Sequence, residues 1–87
     1  MKLKESSTAL VVGTFAAVVH ATWSLMVFVG FAQTYLDWVL GLHFLDNPLT
    51  VQPFSFINAA ILIGFTFVAG YAVGWIFATI WNRLHKG

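Results

Sequence analysis

Residues 33–55 read QTYLDWVLGLHFLDNPLTVQPFS, and the fold turns on how this stretch is read. Tyr35, Leu36, Trp38, Val39, Leu40, Leu42, Phe44 and Leu45 make its first half too apolar for a solvated loop. Asp37, Gly41 and His43 interrupt it as a membrane span. A short helix lying in the membrane interface, or re-entering the protein, satisfies both facts. Asp46, Asn47 and Pro48 then end that helix, because Asp and Asn favour turns and proline drives the preceding residue toward extended backbone. Pro53 breaks the chain again, which leaves residues 49–52 as a short extended stretch and puts Ser55 where it can cap a following helix.

On either side lies a long run without formal charge. Residues 8–32 read TALVVGTFAAVVHATWSLMVFVGFA, and residues 56–81 read FINAAILIGFTFVAGYAVGWIFATIW. Crossing the hydrocarbon core takes about 20 apolar residues, so both runs are long enough. A cleaved signal peptide is the rival reading of the first, but its apolar length exceeds the about 7 to 15 residues of a signal's h-region. The expectation is one all-α membrane domain over 1–87: a first membrane helix at 8–33, a short re-entrant or interfacial helix and loop at 34–55, and a second membrane helix at 56–82.

Composition supports lipid as the solvent. With 60% hydrophobic and 8% charged residues, the chain is far from the roughly 25% charged side chains of soluble domains. Four dispersed Lys and Arg cannot build the clustered basic face that nucleic acid requires. The absence of cysteine removes disulfides, thiolate metal sites and a cysteine nucleophile. No nucleophile, base and orienting group can be named together, so an enzyme is not expected.

Lys2 and Lys4 precede the first run, Arg83 and Lys86 follow the second, and the segment between carries only Asp37 and Asp46. The positive-inside rule then places both termini in the cytoplasm. Tyr35 and Trp38 toward one membrane face, and Trp75 and Trp81 toward the other, suit interfacial aromatic belts.

Several polar residues fall inside the spans. His20 and Ser24 continue a small face through Gly13 and Ala16 or Ala17. His20 is a candidate for haem, chlorophyll or metal ligation, or for proton relay. With no second ligand in view, the expected state is a neutral imidazole hydrogen-bonded within a helix interface. The second span carries Asn58, Leu62, Thr66, Gly70, Gly74, Ala78 and Asn82 at four-residue spacing, small or polar throughout except at Leu62. Two readings of this stripe stand: close helix packing, against the first span or a second copy of the chain, and the lining of a watery path in a homo-oligomer.

Asp46, Asn47 and Thr50 lie between the two prolines, where a symmetric oligomer would turn them into a ring of carboxylate, amide and hydroxyl oxygens. Such rings select cations, and hard oxygen ligands suit calcium, with Asp46 as the metal-binding residue. Asp37 is expected to be outer-surface charge or a second, weaker acidic ring. The plain alternative is a capped turn in solvent, since Asp-Asn-Pro is an ordinary turn sequence.

The order of span, short helix, broken loop and span resembles the pore unit of pore-loop cation channels, although no TVGYG is present. That resemblance implies a filter loop between two membrane helices. The MKL start and the ending AGYAVGWIFATIWNRL look like small two-helix membrane proteins of bacteria, which implies a bacterial cytoplasmic membrane and no particular activity. The functional expectation is a homo-oligomeric cation channel, selective for divalent ions such as calcium. Its partners would be lipid, inorganic cations and further copies of itself. The alternative is an accessory or scaffold subunit of a larger membrane complex.

Overall fold

The computed structural model describes residues 2–85, which form three helices: α1 (Glu5–Val29), α2 (Ala32–Leu42) and α3 (Phe56–Leu84). Lys86, one of the four cations of the topology argument, lies outside the described residues. At about 1.5 Å per residue, the 25 residues of α1 and the 29 of α3 exceed the roughly 30 Å hydrocarbon core. Both are long and apolar enough to cross a membrane.

Local chemistry sets the ends. Ser55 is extended and its hydroxyl accepts from the Asn58 N–H at 3.3 Å, so α3 starts at Phe56. α1 stops at Val29, short of residue 33, because Gly30 adopts the left-handed conformation at φ 83°. The Gly30 N–H donates to Val27 O at 3.2 Å and the Phe31 N–H to Met26 O at 2.9 Å. This pair of bonds is a Schellman stop: it satisfies carbonyls that would otherwise be orphaned and turns the chain. α2 therefore begins at Ala32 rather than 34.

α1 and α3 run antiparallel in direct contact, and what they bury is small. Ala9, Gly13 and Ser24 face Thr66, Gly70, Gly74 and Ala78. A Cβ added at Gly74 would lie 2.8 Å from Ala9 Cα and 2.9 Å from Val12 Cβ; one at Gly70 would lie 2.9 Å from Ala16 Cβ. One added at Gly13 would lie 2.8 Å from Phe67 O. The backbones thus touch, as small residues allow where lipid supplies no hydrophobic drive between helices. Large side chains such as Phe15, Leu25, Phe65 and Ile76 point outward and are exposed. In each span the most apolar window is only 11% buried within the chain, the reverse of a soluble core helix.

The short helix leaves this pair sideways. α2 meets the end of α1 and does not pack on α3. The chain is accordingly flat and extended, 49 × 33 × 15 Å. Its radius of gyration of 16.8 Å compares with about 12 Å for a compact domain of this length.

Candidate functional site

The polar chemistry of the described residues concentrates where α2 meets the extended segment that follows it. Gln33 and Asp37 sit one turn apart on α2. The Gln33 amide donates to Asp37 Oδ1 at 3.0 Å and to Leu49 O at 3.1 Å, while its Oε1 accepts from the Val51 N–H at 2.6 Å. The Asn47 amide donates to the same Asp37 Oδ1, and its own Oδ1 accepts from the Leu49 N–H at 2.8 Å, closing an Asx turn. Two amides and one carboxylate thereby lace residues 47–51 onto α2. The hydrogen bonds from Asn47, and then from Gln33, hold the Asp37 carboxyl below the usual carboxylate range. Between helix and segment the chain turns through Phe44, which adopts φ 62° and is 97% exposed. A bulky side chain rarely takes that left-handed conformation.

The residues expected to form a filter differ in what they bind. Asn47 turns to Asp37. Asp46 and Thr50 are exposed, and the Asp46 carboxylate has no hydrogen-bond or ion-pair partner among the described residues. Among the described residues no three of His, Cys, Asp or Glu are grouped to hold a metal, so a calcium ion at Asp46 would need carboxylates from other copies.

The stripe on α3 is divided in a similar way. Thr66, Gly70 and Gly74 are buried against α1, and the Thr66 hydroxyl donates to Ile63 O of its own helix at 3.1 Å. Asn58 is exposed at the loop end. There it borders a cavity of about 200 Å³ shared by Trp23 and Ser24 of α1, Gln52 and Phe54 of the loop, and Leu62 of α3. A cluster of edge-on rings, Phe28 to Phe54 at 5.1 Å and Phe54 to Phe56 at 4.9 Å, packs beside it. His20 is half-buried, and its Nδ1–H donates to Ala16 O at 2.7 Å.

Two side chains matter more than their sequence context suggests. Gln33 reads as the tail of an apolar run, yet its i, i+4 spacing to Asp37 is the signal that marks the polar edge of α2. Asn82 closes the small stripe of α3: its amide donates to Leu3 O and its Oδ1 accepts from the Leu3 N–H, both at 2.7 Å. This reciprocal pair ties the N-terminal segment to the last turn of α3, so Leu3 and Asn82 lie at the same end of the helix pair. No protein-family model, curated protein or solved structure matches the chain.

Proposed function

We propose that the chain is an accessory or scaffold subunit of a membrane assembly, inserted as a hairpin with both termini cytoplasmic in a bacterial cytoplasmic membrane. One observation carries this reading: Thr66, Gly70, Gly74 and Ala78 of the α3 stripe are taken up by the contact with α1 and are not free to line a conducting path. The large apolar side chains lie on the outside of the pair, Phe15, Leu25, Phe65 and Ile76 among them, a surface suited to lipid and to the flanks of larger membrane proteins. Orientation rests on Lys2, Lys4 and Arg83 clustering at the end where Asn82 binds Leu3.

A second reading, the homo-oligomeric cation channel, is favoured by the exposed and unpartnered Asp46 carboxylate. Around a symmetry axis, copies of Asp46 with Thr50 and Asn47 nearby would present oxygen ligands to calcium, and Asp37 would supply outer charge. Planar-bilayer recording of the purified protein separates the two. The subunit reading expects no current from the protein alone, and a photo-cross-linker at Phe65 or Val18 that traps a different, identifiable membrane protein in cells. A cation current whose divalent preference falls in Asp46→Asn would replace it with the channel.

A further inference from the structure

α2 carries an apolar stripe on which no other helix packs among the described residues. Phe31, Tyr35, Trp38 and Leu42 recur at intervals of four, three and four, which places them on one side of the helix, and they are 51%, 41%, 61% and 58% exposed. The polar edge, Gln33 and Asp37, lies on another side and is engaged by residues 47–51. The stripe is therefore free while the polar edge is capped.

We propose that α2 is an interfacial helix whose stripe inserts among the headgroups and upper acyl chains of a zwitterionic bilayer, rather than re-entering the membrane or docking a second copy. The inference rests on the membrane reading and adds the position of α2 and the lipid chemistry it meets. Continuity is the first argument. The stripe begins at Phe31, directly after the exposed Phe28 and Val29 of α1, and the Gly30 stop turns the chain at the end of that span. A helix separated from a span by only two residues starts at the membrane boundary. Depth is the second: α2 does not pack on α3, so a re-entrant course would leave Asp37 and the laced segment in hydrocarbon without protein cover. Area is the third. Taking 150 to 250 Å² for each aromatic side chain, the four exposed fractions leave roughly 400 Å² of stripe, about half of the roughly 800 Å² per partner typical of a stable protein interface. Charge fixes the lipid. Residues 31–55 contain Asp37 and Asp46 and no Lys or Arg, so attachment comes from Trp and Tyr insertion and gains nothing from anionic headgroups.

The cysteine-free chain allows a clean test with single nitroxide labels in reconstituted full-length protein. In zwitterionic vesicles, labels at Tyr35→Cys, Trp38→Cys and Leu42→Cys should collide with oxygen several-fold more than labels at Thr34→Cys and Gly41→Cys. The latter two should meet a water-soluble relaxant instead. Adding anionic lipid should leave the pattern unchanged. Equal access of the water-soluble relaxant at all five sites would overturn the proposal, as would oxygen-only access at all five, which marks re-entry. Dipolar coupling at Trp38→Cys that vanishes on dilution with unlabelled protein would assign the stripe to a second copy and also overturn it. A label at Phe65→Cys reports the membrane reading separately: if that label meets water, the hairpin is not inserted and the failure lies there. Because the Trp38 substitution removes a stripe residue, a protein that keeps Trp38 gives an independent readout. In a Trp23→Phe, Trp75→Phe, Trp81→Phe variant, where Trp38 is the remaining tryptophan, lipids brominated at shallow acyl positions should quench its emission more than a water-soluble quencher does; quenching by the water-soluble agent alone overturns the proposal.

Discussion

The helix pair and the cap formed by α2 with residues 45–55 are held together by opposite means. In the pair, glycine and alanine let backbones meet at Gly13, Gly70 and Gly74, and the hydroxyl of Thr66 is satisfied by its own helix. In the cap, Gln33 and Asp37 of α2 hold an extended segment through side-chain hydrogen bonds to Asn47, Leu49 and Val51. Shape holds the first because lipid offers apolar groups nothing to gain by association. Hydrogen bonds hold the second, where water competes for every donor and each bond contributes only about 1 kcal/mol net. The pair should therefore fail when volume is added, and the cap when polarity is removed.

The largest effect is expected at Gly74. A leucine there must displace the Ala9 backbone and Val12, and overpacking of this kind costs about 3 kcal/mol or more when backbone is the obstacle. In Gly74→Leu, spin labels at Leu10→Cys and Val73→Cys should move apart, and unfolding by denaturing detergent should shift to lower concentration. An unchanged distance would mean that the pair is not held by this face. Gly41→Leu adds the same volume in the cap, where nothing lies within 4 Å of the added Cβ, and should leave both readouts alone.

Gln33→Leu tests the other half of the contrast. It removes two donated bonds and one accepted bond while keeping side-chain volume, a local loss of about 2 kcal/mol. The Val51 amide should lose its protection from hydrogen exchange, and residues 47–51 should become open to protease. The Leu10 to Val73 distance should not change. If it does, cap and pair are one cooperative unit and the comparison collapses.

Asn82→Ala lies between the two regimes, a polar clamp at the end of a shape-packed face. Loss of its two bonds to Leu3 should cost about 1 to 2 kcal/mol, since the site is half-buried. The expected signature is faster exchange at the Leu3 amide with the pair intact. Asn82→Asp keeps the acceptor and loses the donor, so it should retain part of that protection.

How much of this was legible before the structure follows the same division. The spans could be read because lipid demands long uncharged runs, and the start of α3 because Ser55 is a local cap. The small stripe could be read as a packing face, but its partner could not, since α1 and a second copy offer equivalent small residues. Gly30 was hidden inside an apolar run, where glycine is common in membrane helices, and its left-handed turn is what separates α2 from α1. The cap was the least legible part. Asp46 stands out beside Pro48, yet the carboxylate that organises the segment is Asp37, reached by Asn47 ten residues later and supported by Gln33, which reaches Val51 eighteen residues on. Spacing within a helix shows the Gln33 and Asp37 edge; it does not show which distant amide will meet it.

The smallest expected effect is that of pH, and it should appear in the cap alone. Asn47 and Gln33 donate to the ionised form of Asp37 and hold its carboxyl below the ordinary value of about 3.9. A depressed carboxylate contributes its stabilisation fully above the ordinary value and loses it as pH falls through the lowered one. Exchange at Leu49 and Val51, corrected for the intrinsic pH dependence of amide exchange, should hold level from neutral pH to about 5 and rise only in strong acid. The carboxylate is fully exposed, so solvent screening keeps the change modest. Asp37→Asn keeps an oxygen acceptor without the charge and should flatten the profile. The distance between α1 and α3 should ignore pH throughout, because no titrating side chain takes part in the Gly13, Gly70 and Gly74 contact. If the helix pair loosened over the same acid range, protonation in the cap would be reaching the spans through Gly30 and Phe31, and the junction between α1 and α2 would have to be a coupling element rather than a simple stop.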